Sequence, residues 1–380
     1  MTELPEVTKA VAEGIDAGLI SGAIVEVRHR GAIVHSGATG TSDGDTSFPL
    51  RPDTILWLAS LSKVAGAVAI MMLADEGRLD LGDPVAAYIP EFGQPGRVRV
   101  LRPGSPSPAP ATPFAPPAGP PPEYDIVPAE RGLTLFDLLT HTGGLQSIFA
   151  WNPEYQTPAS GSTLASYVPS LGALVRDFQA GAGWAYSNAA SYDVLSRVIE
   201  IVSGQNLGSF LRQRIFGPLG LTSFRFGGAS APGAMPVPAP FRSNPVLAGD
   251  TFQTTSAGLW GTAGDYLLLA ELLRTGGVHA GGRLLSERSV DQMTSNQVGR
   301  LCPGLNGRPP ALGIGMGLAV AVITDPAAAG ETLPPGTFGW DGVATRRFWV
   351  SREAGWSLFM YAPDQAVQRD IESAVTRALA

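Results

Sequence analysis

The sequence predicts an α/β fold, with one sheet assembled from both ends of the chain and a helical lobe inserted between them. Two observations carry the prediction. Strand-like runs cluster at the termini, Ala23–His29 and Ala32–Ser36 at the start and four more after Gly317. Between them, apolar residues recur at helical spacing and the strand signal disappears.

In chain order, Val7–Ile20 reads as an amphipathic helix. Ala23–His29 and Ala32–Ser36 form a hairpin that turns at Arg30-Gly31. Ser60–Glu76 is a strongly apolar helix. Leu133–Thr140, Leu171–Phe178, Ala189–Ser203, Leu207–Ile215 and Gly264–Arg274 follow as helices. The pattern then returns to strands at Gly317–Ile323, Gly336–Gly342, Arg347–Ser351 and Trp356–Tyr361, and a last helix covers Gln365–Leu379. We expect one catalytic unit over residues 1–380. Residues 1–60 and 310–380 form its sheet region and 61–309 its mostly helical region, with a cleft between them. No internal repeat interrupts this plan. Pro103–Pro122 contains ten of the 33 prolines, so it forms neither helix nor central strand; it is a surface insertion or a flap over the cleft. Ala231–Pro245, with five prolines, is a second such loop.

Composition excludes several classes. The net charge of −7 and the lack of a basic run argue against a nucleic-acid partner. The single cysteine, Cys302, permits no internal disulfide and has no base beside it in sequence. The longest apolar run, Val64–Ala74, is too short to span a bilayer, and Met1–Glu6 lacks the features of a secretory leader, so a cytoplasmic protein without membrane association is expected. No metal-ligand spacing occurs, and neither a metal nor a cofactor is expected.

The chemistry concentrates at Ser60-Leu61-Ser62-Lys63. Lys63 is one of two lysines and lies among apolar residues, where burial shifts an ammonium pKa. Residues i and i+3 share a helix face, so Ser60 and Lys63 point into the same space. Free N–H groups of a first helical turn favour negative charge beside Ser60. This is what a serine nucleophile needs. Gly40-Thr41-Ser42-Asp43-Gly44 also matches a nucleophile elbow, but loop chemistry follows it where a helix is required, so Ser42 is set aside. Of the histidines, His29 and His35 lie on the hairpin, His279 in a Gly-rich turn, and His141 reads as structural.

Two further motifs stand downstream, Tyr186-Ser187-Asn188 and Trp340-Asp341-Gly342. The order Ser-x-x-Lys, Tyr-x-Asn, then a short motif ending in Gly resembles that of the serine β-lactamase and penicillin-binding superfamily. Leu138–Leu145, Gly217–Leu221 and Gly258–Tyr266 resemble further segments of these proteins. Within the superfamily the chain looks most like the class C branch, and there like the family VIII carboxylesterases. The resemblance implies a β-lactamase-like fold with an antiparallel sheet. It implies Ser60 as nucleophile, with Tyr186 beside Ser60 and Lys63. Either Tyr186, as phenolate stabilised by the ammonium, or Lys63, as free amine, takes the serine proton. Asn188 would bond Lys63 or the substrate. The N–H groups of Ser60 and Val343 would form the oxyanion hole, with Gly342 in the third motif. Trp340 replaces the Lys or His with which that motif begins in lactam-processing enzymes, as it does in family VIII esterases, and Asp341 departs from their Trp-Gly-Gly. Arg346 and Arg347 follow closely and could offset its charge.

The expectation is a carboxylesterase for short to medium, uncharged acyl esters, acting on small molecules. Alternatives are an acyltransferase using the same acyl-enzyme, and a β-lactamase, D-amino-acid peptidase or amidase. A non-catalytic binding protein is disfavoured because Ser60, Lys63, Tyr186 and Asn188 are all present.

Overall fold

The computed structural model describes residues 3–42, 47–93, 96–105, 123–146, 155–249, 251–301, 312–343 and 345–380. Cys302, most of the proline segment (106–122) and Asp43-Gly44 lie outside the described residues.

A seven-stranded antiparallel sheet forms the centre. Its strands are β1 (Gly22–His29), β2 (Ala32–Gly40), β3 (Ile314–Met316), β4 (Ala321–Ile323), β5 (Phe338–Gly342), β6 (Arg346–Ser351) and β7 (Trp356–Tyr361). The spatial order is β3-β4-β5-β6-β7-β1-β2, so the C-terminal strand β7 pairs with the N-terminal strand β1, with Ile24 opposite Tyr361. Every residue of β5, β6 and β7 is buried. A sheet covered on both faces needs apolar residues on both, which is why the tail reads as apolar runs rather than alternation.

Helices supply the cover. Helix α1 (Pro5–Asp16) packs along the C-terminal helix, and the chain also runs through α2 (Ser62–Asp75), α3 (Ala190–Ser203), α4 (Ala263–Arg274) and α5 (Gln365–Ala378), α5 being that C-terminal helix. On one face of the sheet, Glu372 of α5 accepts from Arg347 Nη1 at 2.9 Å and from Trp349 Nε1 at 2.8 Å. On the other, Tyr266 of α4 packs against Phe348 and Phe359, with ring centroids 5.0 and 5.3 Å apart. Burying each such aromatic contributes about 1.5–3 kcal/mol.

Three elements differ from the sequence expectation. Gly317–Ile323 is not one strand: Gly317 N–H donates to Val320 O across a turn in which Ala319 has φ +72°, and this turn separates β3 from β4. Leu171–Phe178 is not a helix: a 3₁₀ segment ends at Ala173, after which Arg176 pairs with the neighbouring strand through Arg97 O and Arg99 N. Strand pairing there overrides a weak local preference. Leu207–Ile215 is helical only to Leu211 and then widens into a π turn over Arg212–Phe216 ahead of Pro218. Proline has no N–H to donate and crowds the preceding turn, which accounts for the widening.

Candidate active site

Ser60 lies on a 3₁₀ turn, Ala59–Leu61, that leads directly into α2. Ala59 has φ +48°, a left-handed conformation that costs a residue with a Cβ about 1–2 kcal/mol. The surroundings hold it there. Leu58 N–H donates to Leu259 O at 2.9 Å, Leu259 N–H donates to Ser62 Oγ at 3.1 Å, and Tyr266 Oη donates to Leu61 O at 3.2 Å. Gly342, at the end of β5, completes the clamp: a β-carbon there would lie 3.1 Å from Leu58 O and 3.4 Å from Ala59 Cβ. Val343 follows, half-buried against the apolar cluster that contains Ala59 and Trp57.

Lys63 follows one turn later and is completely buried. Its Nζ lies 3.5 Å from Ser60 Oγ and donates to Asn188 O at 2.7 Å and Ser256 O at 2.6 Å. Burial pulls its pKa down to about 7, while the Asp193 carboxylate pushes in the opposite direction. A lysine poised there exchanges its proton near neutrality.

Tyr186 closes the other side. Its hydroxyl is hydrogen-bonded to Ser60 and accepts from Trp340 Nε1 at 3.4 Å. Lys63 Nζ stands 5.1 Å from the centre of its ring. Burial raises the phenol pKa well above its ordinary value; the bonds to Ser60 and Trp340 oppose this, and the Asp341 charge adds to it. The structure thus brings Ser60, Lys63 and Tyr186 into one hydrogen-bonded group.

Asn188 contributes its main-chain carbonyl to Lys63, while its side chain lies exposed and does not cap α3. Trp340 is 1% exposed and stacks on Tyr186 at 5.1 Å, so it supports the phenol from behind. Asp341 points to the opposite face of the sheet, where its Oδ2 lies 3.3 Å from Arg347 Nη2. Arg346 is buried over the Tyr361 ring, 5.1 Å from its centre. Ser42 is buried, and its hydroxyl accepts from Phe48 N–H at 3.1 Å, a loop-closing role.

Sequence reasoning missed a supporting layer. Asp193, in the first turn of α3, is buried behind Lys63 and bonded by Thr254 Oγ1 at 2.5 Å and by Ser256; burial raises its pKa to about 6. In the sequence it reads only as an acid at a helix start. His141, with φ +60°, holds the segment bearing Tyr186 from both sides. Ala185 N–H donates to its carbonyl at 3.2 Å, and Ser187 N–H donates to its Nδ1 at 3.2 Å. Its ring packs 4.6 Å from that of Tyr186. Burial, and then the Lys63 charge, keep this imidazole neutral. Among the described residues no cluster of His, Cys, Asp and Glu could hold a metal ion, and no helix is long and apolar enough to cross a membrane.

Ser60 on its turn, the buried amine of Lys63 and the phenol of Tyr186 thus meet between a two-ended sheet and a helical lobe. The chain belongs to the beta-lactamase family, whose model matches residues 7–379. Esterase EstB of Burkholderia gladioli is 30% identical over 380 residues, covering 89% of this chain and 85% of EstB. Two solved structures share the fold. EstCE1, described as a hydrolase with promiscuous acyltransferase activity, superposes with a TM-score of 0.76 at 22% identity, covering 98% of this chain and 97% of EstCE1. A family VIII carboxylesterase does so with a TM-score of 0.73 at 18% identity, covering 100% and 98%.

Proposed function

We propose that this protein is a carboxylesterase of the family VIII type, which hydrolyses uncharged esters of short to medium acyl chains through an acyl-enzyme on Ser60. The observation that carries the reading is the Ser60–Lys63–Tyr186 group with Trp340 in place of a cation at the third motif. Burial favours the free amine of Lys63 and disfavours the phenolate of Tyr186, which supports Lys63 as the base in the resting enzyme.

Lys63 takes the Ser60 proton as Oγ attacks the ester carbonyl. The N–H groups of Ser60 and Val343 receive the oxyanion. The Tyr186 hydroxyl, bonded to Ser60, passes a proton to the departing alkoxide and is reprotonated from Lys63. Water then attacks the acyl-enzyme, gives its proton to the same pair, and Ser60 Oγ recovers it as the acid leaves. No cofactor takes part in this reading.

An alcohol in place of that water makes the enzyme an acyltransferase, a reading favoured by the description of EstCE1. Ester hydrolysis with added alcohol and analysis of both products measures the balance. The main reading is tested with a fluorophosphonate and nitrophenyl butyrate. The label is expected on Ser60, and Ser60→Ala is expected to abolish hydrolysis while Ser42→Ala leaves it nearly intact. Label mapped to Ser42, or full activity in Ser60→Ala, would overturn it.

A further inference from the structure

The helical lobe contains a cavity of about 340 Å³ that none of Ser60, Lys63, Tyr186 and Trp340 lines. This is within the range of small-molecule sites, roughly 300–1,000 Å³. Its wall is apolar at Leu133, Leu145, Leu171 and Leu174 and carries two guanidinium groups, Arg131 and Arg176.

The two arginines differ. Asp137 holds Arg131 in a bidentate pair, at 2.5 Å from Nη1 and 2.8 Å from Nη2, so that its charge is compensated. Arg176 is 4% exposed and, among the described residues, lies within ion-pair distance of no carboxylate. Its Nη2 donates to Arg131 O at 3.1 Å, while its buried Nη1 has no hydrogen-bond partner. A buried N–H group without an acceptor is costly, and a buried charge more so. The chain makes room for this guanidinium at Gly96, where a β-carbon would lie 2.4 Å from Arg176 Nη2. Burial lowers the Arg176 pKa, the Asp137 carboxylate opposes this and the Arg131 charge adds to it.

We propose that this cavity binds an amphiphilic monocarboxylate, a fatty-acid-like anion, with its carboxylate beside the Arg176 guanidinium and its alkyl chain along the leucines. Two guanidinium groups against the single Asp137 carboxylate leave a net positive charge beside an apolar wall, which fits a single charged head with a tail. It does not fit a neutral alcohol, which leaves the charge unmatched. The site is separate from Ser60 and does not depend on the reaction assigned there.

The probe is octanoate, titrated calorimetrically into the full chain carrying Ser60→Ala, which removes the Ser60 hydroxyl whatever its role. One equivalent is expected to bind. Octanol is expected to bind at least about tenfold more weakly, the loss anticipated for one charge-assisted bond. Arg176→Gln is expected to weaken octanoate binding by a similar factor. Gly132→Phe provides a second variant: Gly132 lines the cavity at an exposed position, and a β-carbon there meets nothing within 4 Å, so the fold is kept while the space is filled. Circular dichroism checks both variants. Failure of the Ser60→Ala protein to bind octanoate, equal binding of octanol, or unchanged affinity in folded Arg176→Gln or Gly132→Phe would overturn the proposal.

Discussion

Lys63 Nζ reaches the carbonyl of Ser256 at 2.6 Å because residue 66, on the same helix, has no side chain. A β-carbon on Gly66 would lie 2.3 Å from Thr255 Oγ1 and 2.9 Å from Thr255 Cβ. Gly66 therefore lets the 254–256 segment lie against α2, where it holds both Lys63 and, through Thr254, Asp193. Gly66→Ala is expected to displace that segment and lower kcat by about 10²-fold, the scale of a misplacement near 1 Å. Adding Thr255→Gly to Gly66→Ala is expected to restore part of the loss. Steady-state kinetics on a nitrophenyl ester, with circular dichroism as the folding control, makes the measurement. Unchanged kcat in Gly66→Ala would disprove the coupling.

The pH dependence of acylation follows from Lys63. Burial places its pKa at about 7, and the proposed mechanism uses its free amine, so kcat/KM is expected to rise with pH through about 7. Asp193 opposes the shift by favouring the ammonium. Asp193→Asn removes that charge, so the ascending limb is expected to move to lower pH. Because Lys63 and Asp193 titrate close together, the limb belongs to the pair rather than to either group alone. A limb that stays in place, or moves upward, in Asp193→Asn would contradict this arrangement.

The parts of this protein that were legible in the sequence share a physical reason. Strands buried on both faces, such as Arg346–Ser351 and Trp356–Tyr361, carry their signal in every residue. The pairing of Ser60 with Lys63 needed only helical spacing and an improbable lysine. What was not legible depended on approach in space. Nothing local marks Asp193 as a neighbour of Lys63, since the two are 130 residues apart and meet through packing. The charge of Asp341 was an open question in sequence because the face on which it falls depends on the register of β5 with β6. That register sets Asp341 opposite Arg347 and turns both away from Trp340.

His141 is expected to act by position and not by proton transfer. Its carbonyl and Nδ1 accept from the N–H groups on either side of Tyr186, and the buried ring is neutral. His141→Ala loses the Nδ1 acceptor and leaves a Cβ residue at φ +60°, and kcat is expected to fall by about 10–10²-fold. His141→Asn is expected to recover much of that, because Asn tolerates this backbone and carries a side-chain acceptor. The pH profile of active His141→Asn is expected to keep the wild-type limb near 7. Loss of that limb would show that the imidazole titrates in the reaction.

Trp340 joins the sheet to Tyr186. Its indole donates to the Tyr186 hydroxyl, one of the two bonds that restrain the rise of the phenol pKa. Trp340→Phe keeps an aromatic ring against Tyr186 but removes the N–H, so kcat for nitrophenyl esters is expected to fall by about tenfold, with KM little changed, as a phenol harder to ionise relays protons less readily. The same residue bears on lactams. A penicillin carboxylate entering the cleft must give up water, and that cost goes uncompensated without a cation to receive it. Arg346 and Arg347 are both buried, the first over Tyr361 and the second between Asp341 and Glu372, so neither is offered to such a group. Wild-type kcat/KM is therefore expected to favour uncharged nitrophenyl esters over anionic penicillins by at least about 10²-fold, and Trp340→Phe is expected to leave that ratio unchanged because it alters the proton relay and no charge. Penicillin turnover comparable to ester turnover in the wild type would refute the assignment of Trp340 to an uncharged third motif and require a carboxylate anchor elsewhere in the cleft.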